Sequence, residues 1–216
     1  MYELPLFPLN TVLFPGMPLT LHIFEDRYKR MIGECIETES PFGVVLIKEG
    51  LEALGPLADP HPVGCTAHIM QVERLSGGRM NIGAIGRERF RIVELDRSQA
   101  YLAAKVEPFP LVIETPANGA VAARRLLPWV IRYMDELSQV EGVDLDPQEL
   151  PDEPLSLAYL AATLLQVPAE QKQSLLDIQA VTTMLTDMRA LYRREVAFLK
   201  AMFAQNLQDE GTFSLN

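Results

Sequence analysis

Residues 4–28 read LPLFPLNTVLFPGMPLTLHIFEDRY, and four prolines interrupt this otherwise apolar run. The prolines are Pro5, Pro8, Pro15 and Pro18. Proline has no backbone N–H and its ring clashes with the preceding helical turn, so the segment cannot begin as a helix. Strands in it must be short, lie at a sheet edge or begin at a proline. The chain is therefore predicted to open as β structure.

Short strands and one short helix account for the residues that follow, up to residue 112. Residues 19–23 alternate apolar and polar side chains, which is typical of a half-buried strand. Residues 27–36 switch to helical spacing, with the apolar side chains on one face. Two β-rich runs on either side of Ser76-Gly77-Gly78 predict a hairpin. Further apolar runs extend this series of strands, which is typical of a sandwich or a barrel.

The second part of the chain, 113–216, is predicted to be helical after a proline-rich crossover. Asn118 is expected to cap a helix, and Pro128, which lies within that helix, should kink it. The next helix is predicted to begin after Asp152, with Pro154 in its first turn, and its run 155–167 is apolar nearly all round, so it must be buried. The last helix, over 178–206, repeats apolar residues at steps of three and four.

Sequence motifs spread over nearly the whole chain point to one family. Besides the opening stretch they are GCTAHI at 64–69, GRERFRI at 86–92, LSLA at 155–158 and KQSLLD at 172–177. Together they resemble the N-terminal substrate-binding domain of Lon-type ATP-dependent proteases. The resemblance implies an α+β fold: a small, partly open, PUA-like β pseudo-barrel with one short helix over 1–112, then a C-terminal α-helical bundle over 113–216 that ends in a long helix.

The catalytic signatures of those proteases are missing from the sequence. An ATPase phosphate loop reads G-x-x-x-x-G-K-[ST], because its backbone N–H groups and its lysine hold the phosphates. None of the five lysines stands in that frame, and no segment matches the family's Ser–Lys peptidase module. The resemblance therefore implies a stand-alone Lon-domain protein that is not an enzyme and has no catalytic residues.

Charge and hydropathy restrict the partners and the compartment. The net charge of −10 and the pI of about 4.8 argue against nucleic-acid binding, which depends on Lys and Arg neutralising phosphates. The chain has neither a signal-peptide pattern nor a run of about 18 apolar residues, which predicts a cytoplasmic protein with no membrane partner. Cys35 and Cys65 form neither a C-x-x-C pair nor a disulfide framework, so we predict two buried, small hydrophobic side chains.

Neither a cofactor nor a metal site is predicted. The three histidines, His22, His61 and His68, lie outside H-E-x-x-H and C-x-x-C patterns and do not indicate zinc. The seven serines lack a G-x-S-x-G motif that would mark one as a nucleophile. These residues are therefore expected to be structural.

Apolar side chains carry the functional hypothesis. Phe14, Met17, Phe24 and Phe90 would fill the barrel or its rim, and an exposed subset would hold an unfolded segment. We expect a non-catalytic module that binds exposed hydrophobic segments of polypeptides, as an adaptor or in protein quality control, with strand addition at an open barrel edge as a second mode. Its partners would be unfolded or partly folded polypeptides, and a protease or chaperone is a further candidate. The alternative is a sensor of a small molecule or nucleotide derivative with a pocket at the barrel mouth; the oligomeric state is left open.

Overall fold

A computed structural model of the protein describes residues 1–52, 57–141 and 150–212, without the side chains of 139–141 and 203–212. The strands in these ranges are β1 Tyr2–Leu9, β2 Pro18–Ile23, β3 Phe42–Glu49, β4 Asp59–Pro60, β5 Val63–Arg74, β6 Met80–Asp96 and β7 Leu102–Pro108. The helices are α1 Asp26–Glu37, α2 Pro116–Glu141, α3 Pro154–Leu164, α4 Ala169–Leu176 and α5 Val181–Thr212. A single 3₁₀ turn, Ser76–Gly78, links β5 to β6.

Five strands of the N-terminal part close into a barrel. Around the ring the order is β1, β7, β6, β5, β3 and again β1. The closing step is a parallel pairing in which Leu6 lies opposite Gly43 and Leu9 opposite Leu46, whereas the other neighbours are antiparallel. Outside the ring, β2 pairs with β6 and β4 with β3. The predicted α+β fold class is confirmed, and the β1–β3 pairing closes the ring of strands.

β1 contains two prolines in its interior, and the sequence predicts that strands with prolines here are short, lie at a sheet edge or begin at a proline. Its first part, from Tyr2 to Leu6, pairs with β7, and its second part pairs with β3. Pro5 belongs to the first part and Pro8 to the second. Each proline therefore lies in a segment with one paired side, where its missing N–H need not break a hydrogen bond. At Pro18, by contrast, β2 does begin at a proline.

Two apolar clusters lie on opposite faces of the barrel strands, since Phe7 and Val44 belong to one and Leu6 and Val45 to the other. In the larger one, the side chains of α1 pack on the sheet, and the Phe7 and Tyr28 rings stack with 4.0 Å between their centroids. The smaller one surrounds Phe90, which is completely buried. A Cβ added at Gly64 would lie 2.4 Å from the Val44 carbonyl oxygen and 2.7 Å from the Phe90 ring, so this part of the barrel has no room for a larger residue.

The chain divides into two compact units. The first comprises Met1–Val112 with Ala162–Gln179, and the second comprises Ile113–Ala161 with Ala180–Asn216. The sequence prediction separated a barrel part from a helical part after residue 112. The units differ from that division because the short segment 162–179, which includes α4, lies with the barrel.

Two long-range hydrogen bonds hold α4 and the residues after it in the first unit. The buried Gln173 side-chain amide donates to the Val63 carbonyl at 3.1 Å. The buried Arg89 guanidinium donates to the Ile178 carbonyl at 2.6 Å. Side-chain bonds to backbone atoms so distant in sequence leave no periodic pattern, so sequence reasoning did not assign this segment to the barrel.

In the second unit, α2 and α5 pack together. The Tyr133 and Tyr192 rings meet edge to face with 5.1 Å between centroids, and the Tyr192 hydroxyl donates to the Ala161 carbonyl at 2.7 Å. The helix α2 begins at Pro116, so the prediction that Asn118 caps it is wrong: proline is favoured at a first helical position. No described helix combines the length and apolar character that crossing a bilayer requires.

Candidate functional site

The strand β5 changes its neighbours half-way along its length. Its first half lies between β6 and β3, with Cys65 opposite Val44 and Ala67 opposite Phe42. From residue 68 to residue 74, β6 is the one strand that pairs with it in the described part of the chain. The first five residues of β5 are buried, and all but one of the remaining seven are exposed. We call residues 68–74 the β5 edge.

A groove runs along this edge because β3 begins opposite Ala67, at Phe42, and the C-terminal end of α1 lies beside the rest of β5. The groove has a volume of about 360 Å³. We call it the edge groove, and it is lined by Cys35, Ile36, Glu39, Ser40, His68, Ile69, Met70 and Val72.

Apolar side chains in the edge groove are open to solvent. Met70 is 64% exposed and Val72 is 38% exposed. Ile36 and Ile69 are partly buried and pack on the larger core cluster, so they form the floor beneath the exposed pair. An exposed strand edge beside an apolar strip is unusual, because such edges pair readily with other chains. The feature therefore fits a site that accepts an extended polypeptide.

The wall of the groove opposite β5 is a tightly hydrogen-bonded helix end. The Ser40 N–H donates to the Cys35 carbonyl at 3.0 Å, and the Thr38 hydroxyl donates to the Glu34 carbonyl at 2.7 Å. Between them Glu39 has a φ of 51°, in the left-handed region where glycine is favoured. A glutamate there is strained by about 1 kcal/mol. This strained residue lies on the groove wall.

A buried hydroxyl fastens α1 to the barrel behind the groove. The Tyr101 hydroxyl donates to Glu34 Oε2 at 2.7 Å, and Arg30 Nε donates to Glu34 Oε1 at 2.9 Å. These bonds, that from Tyr101 first, hold the pKa of Glu34 below its ordinary value. Desolvation, followed by the bond to Glu34, raises the pKa of Tyr101 to about 12. The hydrogen bond between Tyr101 and Glu34 is therefore expected to persist at every pH between the pKa of Glu34 and the pKa of Tyr101.

The outward face of the β2–β6–β5 layer is polar, in contrast to its β5 edge. His22 Nδ1 lies 2.7 Å from Asn81 Oδ1, and Asn81 Nδ2 donates to Glu73 Oε2 at 2.8 Å. One aromatic ring, that of Phe24, stacks on His22 with 6.0 Å between centroids. Because this row of polar groups is already hydrogen-bonded, the edge groove is the better candidate for apolar contacts.

The structure separates the four predicted binding residues. Phe14 and Phe90 are 0% exposed and belong to the core, so placing them on an apolar surface is wrong. Met17 is partly buried and packs on the larger core cluster. Phe24 is 44% exposed and is the one of the four that a ligand could reach. Strand alternation alone could not tell inward from outward positions across so many short, bent segments.

Both cysteines of the chain lie in the described residues. Cys35 and Cys65 are free and buried, which confirms the prediction for both. Desolvation raises the pKa of Cys65 to about 12, so this thiol is unreactive in the folded protein. Among the described residues, no group of three or more His, Cys, Asp and Glu side chains is placed to hold a metal ion.

Sequence reasoning missed Met70 and Val72. The sequence pattern places both residues in a hairpin strand, but it does not show whether both sides of that strand are paired. A weak signal was present: Ile69 and Met70 are adjacent apolar residues that break strict alternation, and the pairing register with β6 shifts between Ile69 and Gln71. Which side of the strand lacks a partner depends on where β3 begins, and that is a tertiary property.

Comparison with known proteins identifies the family. Residues 3–191 match the family model of the ATP-dependent protease La (LON) substrate-binding domain. The chain belongs to this Lon substrate-binding domain family. Curated Lon proteases from Syntrophus aciditrophicus and Paraburkholderia phytofirmans are 26% and 33% identical over 91% and 78% of this chain. The chain spans 26% and 21% of the length of these two relatives.

Solved structures of Lon N-terminal domains share the fold. The Lon N-terminal domain protein from Xanthomonas campestris is 26% identical, with a TM-score of 0.63 over 88% of this chain and 98% of that one. The N-terminal domain of Mycobacterium avium complex Lon protease gives the same TM-score at 22% identity, over 89% and 98% of the two chains. The matched family model is a substrate-binding domain, so a substrate-binding module is the function class that the family supports.

Proposed function

We propose that this Lon substrate-binding-domain protein binds extended, apolar segments of unfolded or partly folded polypeptides in the edge groove. The observation that carries the proposal is the β5 edge. It is paired on one side and contains the exposed apolar side chains of Met70 and Val72. The client segment would add to the sheet as a strand beside β5. Such a module would serve as an adaptor or in protein quality control.

Strand addition explains how clients of different sequence could bind. The hydrogen bonds run between backbone N–H and C=O groups, which every client segment has. The β5 edge has seven residues and extends by about 3.3 Å per residue, so it matches a client segment of similar length. The backbone contacts therefore favour an extended segment of about seven residues.

Side chains in the groove would add a preference for apolar clients. Successive side chains of a strand point to opposite faces, so every second client side chain would face Ile36, Met70 and Val72. Glu39 on the rim and the net charge of −10 would disfavour acidic clients at this site. The contact area is small, so binding should be weak and reversible, as an adaptor requires.

The proposed role does not include catalysis. The matched family model is a substrate-binding domain, and these 216 residues contain no phosphate-loop motif. We expect the purified chain neither to hydrolyse ATP nor to degrade casein. ATP turnover that disappears when a residue of this chain is replaced would contradict this part of the proposal.

The test measures binding of a fluorescent peptide of seven alternating apolar and polar residues by fluorescence anisotropy. Met70→Asp should weaken binding at least about tenfold, because it puts a charge where apolar surface is to be buried. Val93→Asp is the matched control: Val93 is 50% exposed on β6, outside the groove, and its replacement should leave affinity unchanged. Equal loss in both variants would show that the groove is not the site.

A second experiment tests strand addition separately from apolar contact. Two versions of the peptide carry N-methyl groups at odd or at even positions, so each loses a different set of backbone donors. A strand paired on one side uses every second N–H, so one version should bind like the parent peptide and the other should fail. Equal affinity of the two versions would exclude strand addition and leave an apolar contact alone.

A further inference from the structure

A cationic groove lies between α2 and α5 of the second unit, in a chain of net charge −10. It comprises two cavities that follow each other along these helices, with volumes of about 190 Å³ and 540 Å³. We call it the α2–α5 groove; its cationic lining is Arg125, Arg132, Arg189, Arg193, Arg194 and Lys200. Arg194 and Lys200 contact the carboxylates of Glu195 and Glu136 at 2.8 and 3.4 Å, respectively.

The cationic residues are arranged along the groove rather than in one cluster. Arg125, Trp129 and Arg132 follow each other at helical steps of four and three, which places them on one face of α2. On α5, Arg189 and Arg193 are separated by one turn and face the same groove. The lined part of α2 is about 20 Å long at 1.5 Å per residue. This length suits a ligand whose charges are also spread along a line.

The wider part of the groove is built around Trp129. The guanidinium carbons of Arg132 and Arg193 lie 4.9 and 5.4 Å from the centroid of its ring. A guanidinium over an aromatic face is held in place, and its planar fork of N–H donors matches the two oxygens of a carboxylate. The two arginines are thus preorganised to bind carboxylates.

The narrower part contains donors that need an acceptor. Thr182 Oγ1 and Arg189 Nε are buried atoms that line this part, and neither has a hydrogen-bond partner among the described residues. Buried donors in folded proteins are nearly always satisfied, so such atoms call for an explanation. A carboxylate in the groove would accept from both.

We propose that the α2–α5 groove binds an extended acidic segment of a polypeptide, with its carboxylates on Arg125, Arg189 and the arginines beside Trp129. A nucleic acid fits less well, because the lined part of α2 is about 20 Å long, whereas nucleic-acid affinity depends on neutralising many phosphates along a chain. The site differs from the edge groove in chemistry and in location. It therefore does not rest on the proposed function.

The experiment uses the intrinsic fluorescence of Trp129, which is the one tryptophan of the chain. The probe is octaglutamate with blocked ends, about 26 Å long when extended, titrated at 50 mM NaCl. A saturable fluorescence change is expected. Arg125→Glu should weaken binding at least about tenfold, whereas Arg124→Glu, which alters net charge equally at the neighbouring exposed position outside the groove, should change it less than about twofold.

Three results would overturn the proposal. One is the absence of a saturable fluorescence change; another is equal weakening by Arg124→Glu and Arg125→Glu, once circular dichroism has established that both variants are folded. The third is tighter binding of octathymidylate, which would assign the groove to nucleic acid. Met70→Asp serves as a further control, because it should leave octaglutamate binding unchanged while it weakens binding of the apolar peptide. The affinity of Arg125→Gln for octaglutamate should lie between that of the parent protein and that of Arg125→Glu.

Discussion

Both halves of β5 are β-strand, but the first half is buried and the second half is largely exposed to solvent. Residues 63–67 lie between two strands, are buried and contribute to the core of the barrel. Residues 68–74 pair with one strand and are largely exposed. The difference arises from a neighbour: β3 begins only at Phe42, opposite Ala67, and the residues before it belong to α1 and its C-terminal turn. A single strand can thus supply both rigid scaffold and an exposed edge, with the change made where its partner ends.

Thiol reactivity should give the largest contrast between the two halves. Burial raises the pKa of Cys65 to about 12, whereas a cysteine replacing the exposed Val72 should have an ordinary pKa. We expect Val72→Cys to be alkylated by iodoacetamide at pH 8 at least about 100-fold faster than Cys65 in the same molecule, because Cys65 must wait for local unfolding. Peptide mapping by mass spectrometry assigns the sites. Comparable rates would mean that the inner half opens as readily as the edge.

Two glycines offer a matched pair of substitutions. A Cβ at Gly64 would lie 2.4 Å from a backbone oxygen, whereas a Cβ at Gly83, beside the β5 edge, would meet the Gln71 Cβ at an ordinary 3.5 Å. Gly64→Ala should lower the free energy of unfolding by about 3 kcal/mol, and Gly83→Ala should change it by less than about 0.5 kcal/mol. Urea denaturation of both variants measures the difference. A mild effect at Gly64 would show that the inner half can expand.

Removal of the Tyr101 hydroxyl tests whether the wall of the edge groove is fastened as described. Tyr101→Phe deletes the bond to Glu34 and should reduce the free energy of unfolding by about 1 kcal/mol at neutral pH. Because the folded pKa of Glu34 is lowered, its contribution is present above the unfolded pKa and is lost as the pH falls through the folded pKa. The difference in the free energy of unfolding between the parent protein and Tyr101→Phe should therefore become smaller at acid pH. A difference independent of pH would assign the loss to packing.

The smallest expected effect is at Glu39, on the strained end of α1. Glycine tolerates a φ of 51° without the Cβ clash, so Glu39→Gly should stabilise the protein by about 0.5–1 kcal/mol. Thermal denaturation checks the sign, and Glu37→Gly, at the last residue of the helix, should destabilise instead. If peptide binding also changes in Glu39→Gly, the strained end contributes to the site as well as to stability.

Local sequence patterns predicted most elements but not their neighbours. The short helix, the hairpin at Ser76–Gly78 and the buried third helix follow from periodicity and glycine chemistry, and the barrel type followed from the family resemblance. Sequence did not predict that 80–96 forms one continuous strand, because β6 pairs with β2 first and with β7 later. The same limit applies to the site: exposure of Met70 depends on the length of β3, whereas Phe90 becomes core through contacts distant in sequence.

Amide hydrogen exchange tests most directly the claim that the outer half of β5 accepts a client strand. Mass spectrometry would follow exchange at 63–67 and 68–74 with and without a saturating concentration of the alternating apolar peptide. We expect exchange to slow within 68–74 when peptide is added, because new backbone hydrogen bonds protect those amides, while the slow exchange of 63–67 stays unchanged. Unchanged exchange throughout 68–74, with peptide bound and protection appearing elsewhere, would contradict the account.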